Sequence, residues 1–395
     1  MATLTGTRRR ALAALLGMLG CALAATALAA GEGARMNRAV ATLAHQGHFM
    51  GSVLVVRDSH VLLDRAYGDA NLELHAPDTT QTRYRLGSIS KQFTAAAILL
   101  LQERGLLKVQ DPVGRYLPDA PAAWAAITLQ NLLTHTSGIP SYSDLPGFDA
   151  TKARPATPAQ LVARFRDLPL LFAPGTAWRY SNSNYALLGY LIERISGQSY
   201  AQFLQQNIFT PLGMRQSGYD STTQLIMGRA EGYTPGEDHD APVNAPYIDM
   251  SVPYAAGGLY STTHDLLRWE QALYGMRLLS ASSLRQMTTP YMSDYGFGLT
   301  IRTLPGGQLL YSHGGGIYGF NGELSYAPSE HLAVIVLANL NGPAPQILSR
   351  QLLSLALHDP RIAAQPPRAV QPDAPAPADQ DANPEQDANP EPPSD

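Results

Sequence analysis

Ser88 and Lys91 are separated by three positions in the segment RLGSISKQFT, residues 85–94. The residues that follow, AAAILLLQE at 95–103, favour a helix, so both side chains are expected on one face at its start. A serine hydroxyl becomes a good nucleophile when a neighbouring base takes its proton. A lysine serves as that base when its surroundings lower its pKa. The alternative is a helix-capping serine next to an exposed lysine.

The scarcity of lysine favours the chemical interpretation. The chain has three lysines, Lys91, Lys108 and Lys152, and every other permanent cation is arginine. Arginine does not deprotonate in a protein, whereas lysine can. A lysine next to Ser88 therefore indicates that a titratable amine is needed there.

Tyr180 and Asn182 form a second candidate element in FAPGTAWRYSNSNY, residues 172–185. They are expected in a polar turn just before a helix. A phenol can relay a proton, and an amide can orient Lys91 or hold a substrate carbonyl. The alternative is a helix cap followed by a half-buried tyrosine.

A glycine-rich segment, YSHGGGIYGF at residues 311–320, forms the third element, at the end of a predicted strand. Glycines allow the backbone to approach a ligand closely. The segment also matches the glycine spacing of dinucleotide-binding loops, but a predicted strand follows where those loops require a helix. The G-x-S-x-G elbow of lipase-type hydrolases does not occur in the sequence.

The pattern of apolar residues predicts an α+β fold. Strands are expected at 50–57 and 60–67, and again at 296–302, 308–313, 321–326 and 331–337. Helices are expected at 31–46, 185–195, 201–206, 262–273 and 347–357. The predicted architecture is an antiparallel sheet built from both chain ends and flanked by helices. A mostly helical lobe, about 105–250, is inserted, and the active site is expected between lobe and sheet.

The two ends of the chain are expected to lie outside the folded domain, which we predict at 30–362. Arg8–Arg10, an apolar stretch at 11–28 and Ala27-Leu-Ala29 are typical of a cleaved signal peptide, residues 1–29. An uncleaved anchor or a lipoprotein signal at Cys21 is the alternative. Cleavage would remove the single cysteine, leave no membrane span, and place the protein in the periplasm or outside the cell. Residues 363–395 are rich in Pro, Asp and Ala and are expected to be disordered.

Composition narrows the class of partner. The net charge is −4 and no basic stripe is present, which argues against nucleic acid. The acidic run Glu237–Asp240 does not have the spacing of a standard metal site. We therefore expect no metal and no cofactor.

Together the three elements are similar to a known set of motifs. Ser88-Ile-Ser-Lys91, Tyr180-Ser-Asn182 and His313-Gly-Gly315 occur in the order of S-x-x-K, Y-x-N and K/H-x-G. The chain thus resembles the serine β-lactamase and penicillin-binding-protein superfamily over about residues 35–358. The Y-x-N form resembles the class C-like branch, with its D-Ala-D-Ala carboxypeptidases, D-aminopeptidases and family VIII-type esterases. The resemblance implies the β-lactamase/transpeptidase-like fold.

The resemblance also implies a role for each residue. Ser88 would attack a carbonyl, Lys91 would take its proton, and Tyr180 would pass a proton to the leaving group. Asn182, His313 and Gly315 would position the substrate, and the backbone N–H groups of Ser88 and Gly316 would form the oxyanion hole. His313-Gly314-Gly315 departs from the Lys-Thr-Gly of β-lactamases. It offers only a partly charged side chain and no hydroxyl, which weakens recognition of a substrate carboxylate.

The function that we expect is that of an exported serine hydrolase. It would form an acyl-enzyme at Ser88 and act on D-amino-acid peptides, including peptidoglycan fragments, or on small esters and amides. The alternatives are a class C-type β-lactamase and a non-catalytic sensor of cell-wall fragments. The preferred acyl group and the oligomeric state do not follow from the sequence.

Overall fold

A computed structural model describes residues 31–236 and 241–365 of the chain. The expected signal peptide, the Glu237–Asp240 run and the tail from residue 366 onward lie outside the described residues. The expected domain boundary between residues 362 and 363 falls inside a short helix, Pro360–Ala363.

The described helices vary from one turn to four turns in length. They are α1 (31–45), α2 (Ser90–Glu103), α3 (Leu129–Leu133), α4 (Phe148–Thr151), α5 (Pro158–Ala163), α6 (Asn182–Ser196), α7 (Tyr200–Leu204), α8 (Tyr254–Gly257), α9 (Thr263–Tyr274), α10 (Ala281–Met287), α11 (Ala344–Leu357) and α12 (Pro360–Ala363).

The described strands vary from two to nine residues in length, and six of them form the main sheet. The full set is β1 (Gly51–Arg57), β2 (His60–Tyr67), β3 (Asp69–Asn71), β4 (Ala76–Pro77), β5 (Tyr84–Arg85), β6 (Gly218–Tyr219), β7 (Tyr233–Thr234), β8 (Val243–Asn244), β9 (Leu259–Ser261), β10 (Thr300–Thr303), β11 (Leu309–Ile317), β12 (Phe320–Ala327) and β13 (Leu332–Ala338).

The main sheet joins both ends of the chain, as the sequence predicts. Its strand order is β10-β11-β12-β13-β1-β2, and neighbouring strands are antiparallel. The strand β13 pairs with β1 along its whole length, from Leu332 opposite Arg57 to Ala338 opposite Gly51. The expected antiparallel meander at the C-terminal end is therefore confirmed.

Helices cover both faces of this sheet, which explains why β1 is apolar at consecutive positions. Val53 and Val55 face one apolar core together with residues of α1 and α11. Leu54 and Val56 face the other, larger core, which contains α2, α9 and the helical lobe. The period of two along the strand thus divides one run of apolar residues between two layers.

The helix α2 lies at the centre of the molecule. All residues from Ser90 to Leu101 are buried, and a helix that is buried on every side lies in a core. Phe93 stacks on Trp269 of α9 with ring centroids 4.0 Å apart. Because α2 packs between the sheet and the lobe, a polar side chain in its first turn lies at their junction.

Three predicted elements differ from the observed ones. The strand β10 is shorter than 296–302 because Gly298 adopts a φ of 73°, which breaks extended structure. The helix predicted at 201–206 ends at Leu204 and continues as a π-helical turn, Gln205–Phe209. The strand β11 continues through the glycines to Ile317, so these glycines lie inside the strand and not at its end.

No helix in the described part of the chain combines the length and the apolar character that crossing a membrane requires.

Candidate active site

Ser88 lies in a 3-10 turn, Gly87–Ile89, immediately before α2. Gly87 has a φ of 50°, a conformation that glycine adopts readily. Leu86, the residue before this turn, is anchored by its N–H, which donates to the carbonyl of Leu259 in β9 at 2.8 Å. These features hold the serine, which is 2% exposed, at the start of the buried helix.

Lys91 is fully buried in the first turn of α2. Its Nζ lies 2.7 Å from Ser88 Oγ, 2.8 Å from Asn182 Oδ1 and 2.8 Å from the carbonyl oxygen of Ala256. The expectation that the serine and lysine side chains face each other therefore agrees with the structure.

The contacts of Lys91 suit a proton acceptor. A neutral amine has two hydrogens and one lone pair. The oxygens of Asn182 and Ala256 accept hydrogen bonds but cannot donate them, so they direct those two hydrogens. The lone pair is then left to face Ser88 Oγ. The same geometry accommodates the ammonium that forms when the serine proton is transferred.

Tyr180 approaches the serine from the lobe side. Its hydroxyl lies 2.7 Å from Ser88 Oγ, and its ring lies 4.8 Å from Lys91 Nζ. The three reactive groups therefore form one cluster, although they come from segments about ninety residues apart in the chain.

Asn182 is the first residue of α6, whereas the sequence pattern predicted it in the turn before the helix. Its N–H donates to Ser141 Oγ at 3.1 Å, and its Nδ2 donates to Ser143 Oγ at 3.0 Å. The second bond fixes the orientation of the amide, so that Oδ1 points at Lys91.

The strand β11 passes directly beneath the Ser88 turn. A Cβ atom on Gly315 would lie 1.9 Å from the carbonyl oxygen of Leu86, and one on Gly87 would lie 2.8 Å from the amide nitrogen of Gly316. Only glycine permits this approach. It brings the backbone of Gly316 next to the turn that carries Ser88.

A comparison with known protein families matches residues 36–357 to the family described as Beta-lactamase. The chain belongs to the beta-lactamase family. The fold is the β-lactamase/transpeptidase-like fold that the motifs predicted.

Three proteins that are similar to the chain show which kinds of protein this family contains. PbpX, a penicillin-binding-type protein of Bacillus subtilis (strain 168), is 34% identical over 75% of this chain and 72% of its own length. A D-aminopeptidase of Gluconobacter oxydans is 30% identical over 81% of this chain, which spans 61% of that protein. The crystal structure of a D-stereospecific amidohydrolase from Streptomyces sp. has a TM-score of 0.65 and 29% identity, covering 74% of this chain and 90% of that one. The curated and solved relatives therefore include hydrolases.

His313 takes the place of the lysine that β-lactamases usually have in the third motif. The side chain is 7% exposed, and its Nε2 lies 2.9 Å from the hydroxyl of Tyr295. Its ring centroid lies 6.5 Å from that of Tyr180. The imidazole therefore belongs to the same cluster as the tyrosine, and Tyr295 is a neighbour that the sequence motifs did not reveal.

His135 also lies against the reactive cluster. Its ring packs 4.4 Å from the ring of Tyr180, and its Nδ1 accepts a hydrogen bond from the N–H of Ser181 at 3.2 Å. Burial lowers the pKa of His135 well below its usual range, and any positive charge on Lys91 or His313 lowers it further. The neutral His135 ring therefore supports Tyr180 by packing against it.

The described residues do not contain a group of three or more His, Cys, Asp or Glu side chains arranged to hold a metal ion. The cluster brings together a hydroxyl, an amine and a phenol, groups that can serve as nucleophile, base and acid.

Proposed function

We propose that the chain is a serine hydrolase that forms an acyl-enzyme at Ser88. The observation that carries this proposal is the position of Ser88 Oγ, 2.7 Å from both Lys91 Nζ and the Tyr180 hydroxyl. A nucleophile within hydrogen-bond reach of a base is the arrangement that covalent catalysis requires.

The first half-reaction forms the acyl-enzyme. The Ser88 proton passes to Lys91 Nζ, and Oγ bonds to the substrate carbonyl carbon. The negative charge that develops on the carbonyl oxygen is stabilised by the backbone N–H groups of Ser88 and Gly316. Tyr180 gives a proton to the leaving group as its bond to the carbonyl carbon breaks, and the proton on Lys91 reprotonates the phenolate.

The second half-reaction releases the acyl group. Water enters where the leaving group stood, loses a proton to the Tyr180–Lys91 pair, and attacks the same carbon. The bond to Ser88 Oγ then breaks, and Oγ takes back a proton. Asn182 keeps Lys91 in place through both steps because its Oδ1 lies 2.8 Å from Nζ.

The proposed substrates are D-amino-acid peptides, including peptidoglycan fragments, or small esters and amides. The D-aminopeptidase and D-stereospecific amidohydrolase among the relatives support this class. The His313-Gly314-Gly315 sequence disfavours efficient β-lactam turnover, since it lacks the permanent charge and hydroxyl that suit a β-lactam carboxylate. We further propose that residues 1–29 direct export and that the hydrolase domain acts in the periplasm or outside the cell.

Hydrolysis of a p-nitrophenyl ester tests the proposal. We expect turnover by the wild type and its loss in Ser88→Ala, with the same thermal unfolding temperature in both. A panel of D-Ala-D-Ala peptides, D-amino-acid amides and nitrocefin then assigns the substrate class. Binding of labelled penicillin without any turnover would favour the sensor alternative, and rapid nitrocefin turnover would favour the β-lactamase.

A further inference from the structure

A cavity of about 390 Å³ begins at the reactive cluster and extends to the other side of β11. Tyr180, His313 and Gly314 line its inner end, and residues of α11 and α12 line its outer end. We call it the interlayer cavity, because most of it lies between the main sheet and these two helices. A volume of this size is typical of ligand pockets.

The strand register explains how the cavity reaches past β11. Gly314 lies opposite Glu323 of β12, and Ser312 lies opposite Ser325. Side chains directly opposite each other share a face of the sheet, so Ser312, Gly314, Glu323 and Ser325 all belong to the α11 face. The successive residues His313 and Gly314 face opposite sides of the sheet, and both line the cavity, which therefore reaches from this face to the reactive cluster.

Two arginines give the outer part of the cavity a positive charge. Arg302 of β10 and Arg350 of α11 both line it, together with Glu323. Burial raises the pKa of Glu323 to about 7, so near neutral pH its carboxylate offsets only part of the charge of the two arginines. The Nε of Arg350 is buried and has no hydrogen-bond acceptor among the described residues.

The rest of the cavity wall is largely apolar. Leu304, Leu310, Leu353 and Ile362 line it. Two hydroxyl groups on this wall, those of Ser325 and Ser349, form a hydrogen bond with each other, with 3.1 Å between the two Oγ atoms. The wall thus suits an extended apolar group with an anionic end.

The two sides of the reactive cluster differ in the space that they offer. On the side of Asn182 and Gly316, the cavity next to Gly87 holds about 30 Å³. The interlayer cavity instead opens at Tyr180, the residue that protonates the leaving group in the proposed mechanism. The geometry therefore assigns the larger space to the leaving group.

We propose that the interlayer cavity receives the leaving group of the substrate, and that Arg350 binds a carboxylate at the far end of that group. This assignment rests on the proposed acyl transfer at Ser88. It names the substrate class as acyl compounds with a long, acid-terminated leaving group.

Three acetyl esters of one phenol test the assignment. They carry the same para-alkyl chain and end in a carboxylate, a carboxamide or a methyl group. In the wild type we expect kcat/KM for the carboxylate to exceed that for the carboxamide by about tenfold to a hundredfold, as for a hydrogen bond to a charged group. The difference should appear mainly in KM, because the contact lies far from the reacting carbon.

Variants of Arg350 test whether this residue causes the preference for the carboxylate ester. Arg350→Met should bring the carboxylate-to-carboxamide ratio close to one, and Arg350→Lys should restore part of it. Using the ratio within each variant cancels a general loss of activity. Arg361→Met is the matched control, since Arg361 is an exposed arginine of α12 that pairs with Asp359, and it should keep the wild-type ratio.

A wild-type ratio near one, or an undiminished ratio in Arg350→Met, would overturn the assignment while leaving acyl transfer at Ser88 intact. Undiminished hydrolysis of all three esters by Ser88→Ala would instead overturn the proposed function. The two failures are therefore distinguishable.

Discussion

Replacement of Gly315 by alanine should separate β11 from the Ser88 turn. The added Cβ would lie 1.9 Å from the carbonyl oxygen of Leu86, whereas such contacts are essentially never shorter than 3.0 Å. The obstacle is backbone, which cannot rotate away as a side chain can. The strand and the turn must therefore move apart by about an ångström, a displacement that can cost on the order of a hundredfold in rate.

The expected size of the effect follows from what this displacement breaks. The turn and the strand carry the backbone N–H groups of Ser88 and Gly316, which we propose as the oxyanion hole. Loss of one such donor typically costs about 2.7–4 kcal/mol of transition-state stabilisation. We expect Gly315→Ala to lower kcat/KM for a p-nitrophenyl ester by about 100- to 1,000-fold, chiefly through kcat.

Gly114→Ala is the matched control, because a Cβ on Gly114 would meet nothing within 4 Å. This variant should keep wild-type kinetics. Circular dichroism and thermal unfolding of both variants would show whether each is folded. A folded Gly315→Ala enzyme with activity within about threefold of the wild type would refute the argument that this close approach sets the catalytic geometry.

Two further predictions concern a proton donor and a buried acid. Tyr180→Phe should lower kcat by about 100- to 10,000-fold with a similar KM, because the variant loses the proton donor. Its unfolding temperature should stay the same, because the ring keeps its contact with His135. Near-normal steady-state turnover would argue against Tyr180 as the acid. Burial raises the pKa of Asp78 from 3.8 to about 7, so the folded state keeps a proton that the unfolded state loses. The stability that Asp78 contributes should therefore decline as pH rises from about 4 to 7, by at most about 4 kcal/mol. Urea unfolding of Asp78→Asn across this range should show a flatter pH dependence, and an unchanged dependence would contradict the assignment.

Local sequence patterns predicted the sheet and the long helices because their periods of two and 3.6 residues are set by one face packing on a core. The glycines of β11 misled the prediction. Glycine usually weakens a strand, but here Gly314, Gly315 and Gly316 pair with β12 from Glu323 to Asn321. Pairing with a neighbouring strand is a tertiary effect that local propensity cannot show.

The start of α6 has a similar explanation. Ser181 precedes the helix without a capping side-chain bond, and the N–H of Asn182 is satisfied by Ser141 from a distant loop. A helix start that depends on a residue about forty positions away leaves no local signal. Tyr295 and His135 were not assigned to the reactive cluster for the same reason, since they reach Tyr180 and His313 only through the fold.

The central claim is that Ser88 is made nucleophilic by Lys91, and intact-mass measurement after incubation with a fluorophosphonate tests it most directly. We predict one adduct on Ser88 in the wild type, no adduct in Ser88→Ala, and almost none in Lys91→Arg, because arginine keeps the charge but cannot accept the proton. Labelling of Lys91→Arg at the wild-type rate, or an adduct on a residue other than Ser88, would contradict the account.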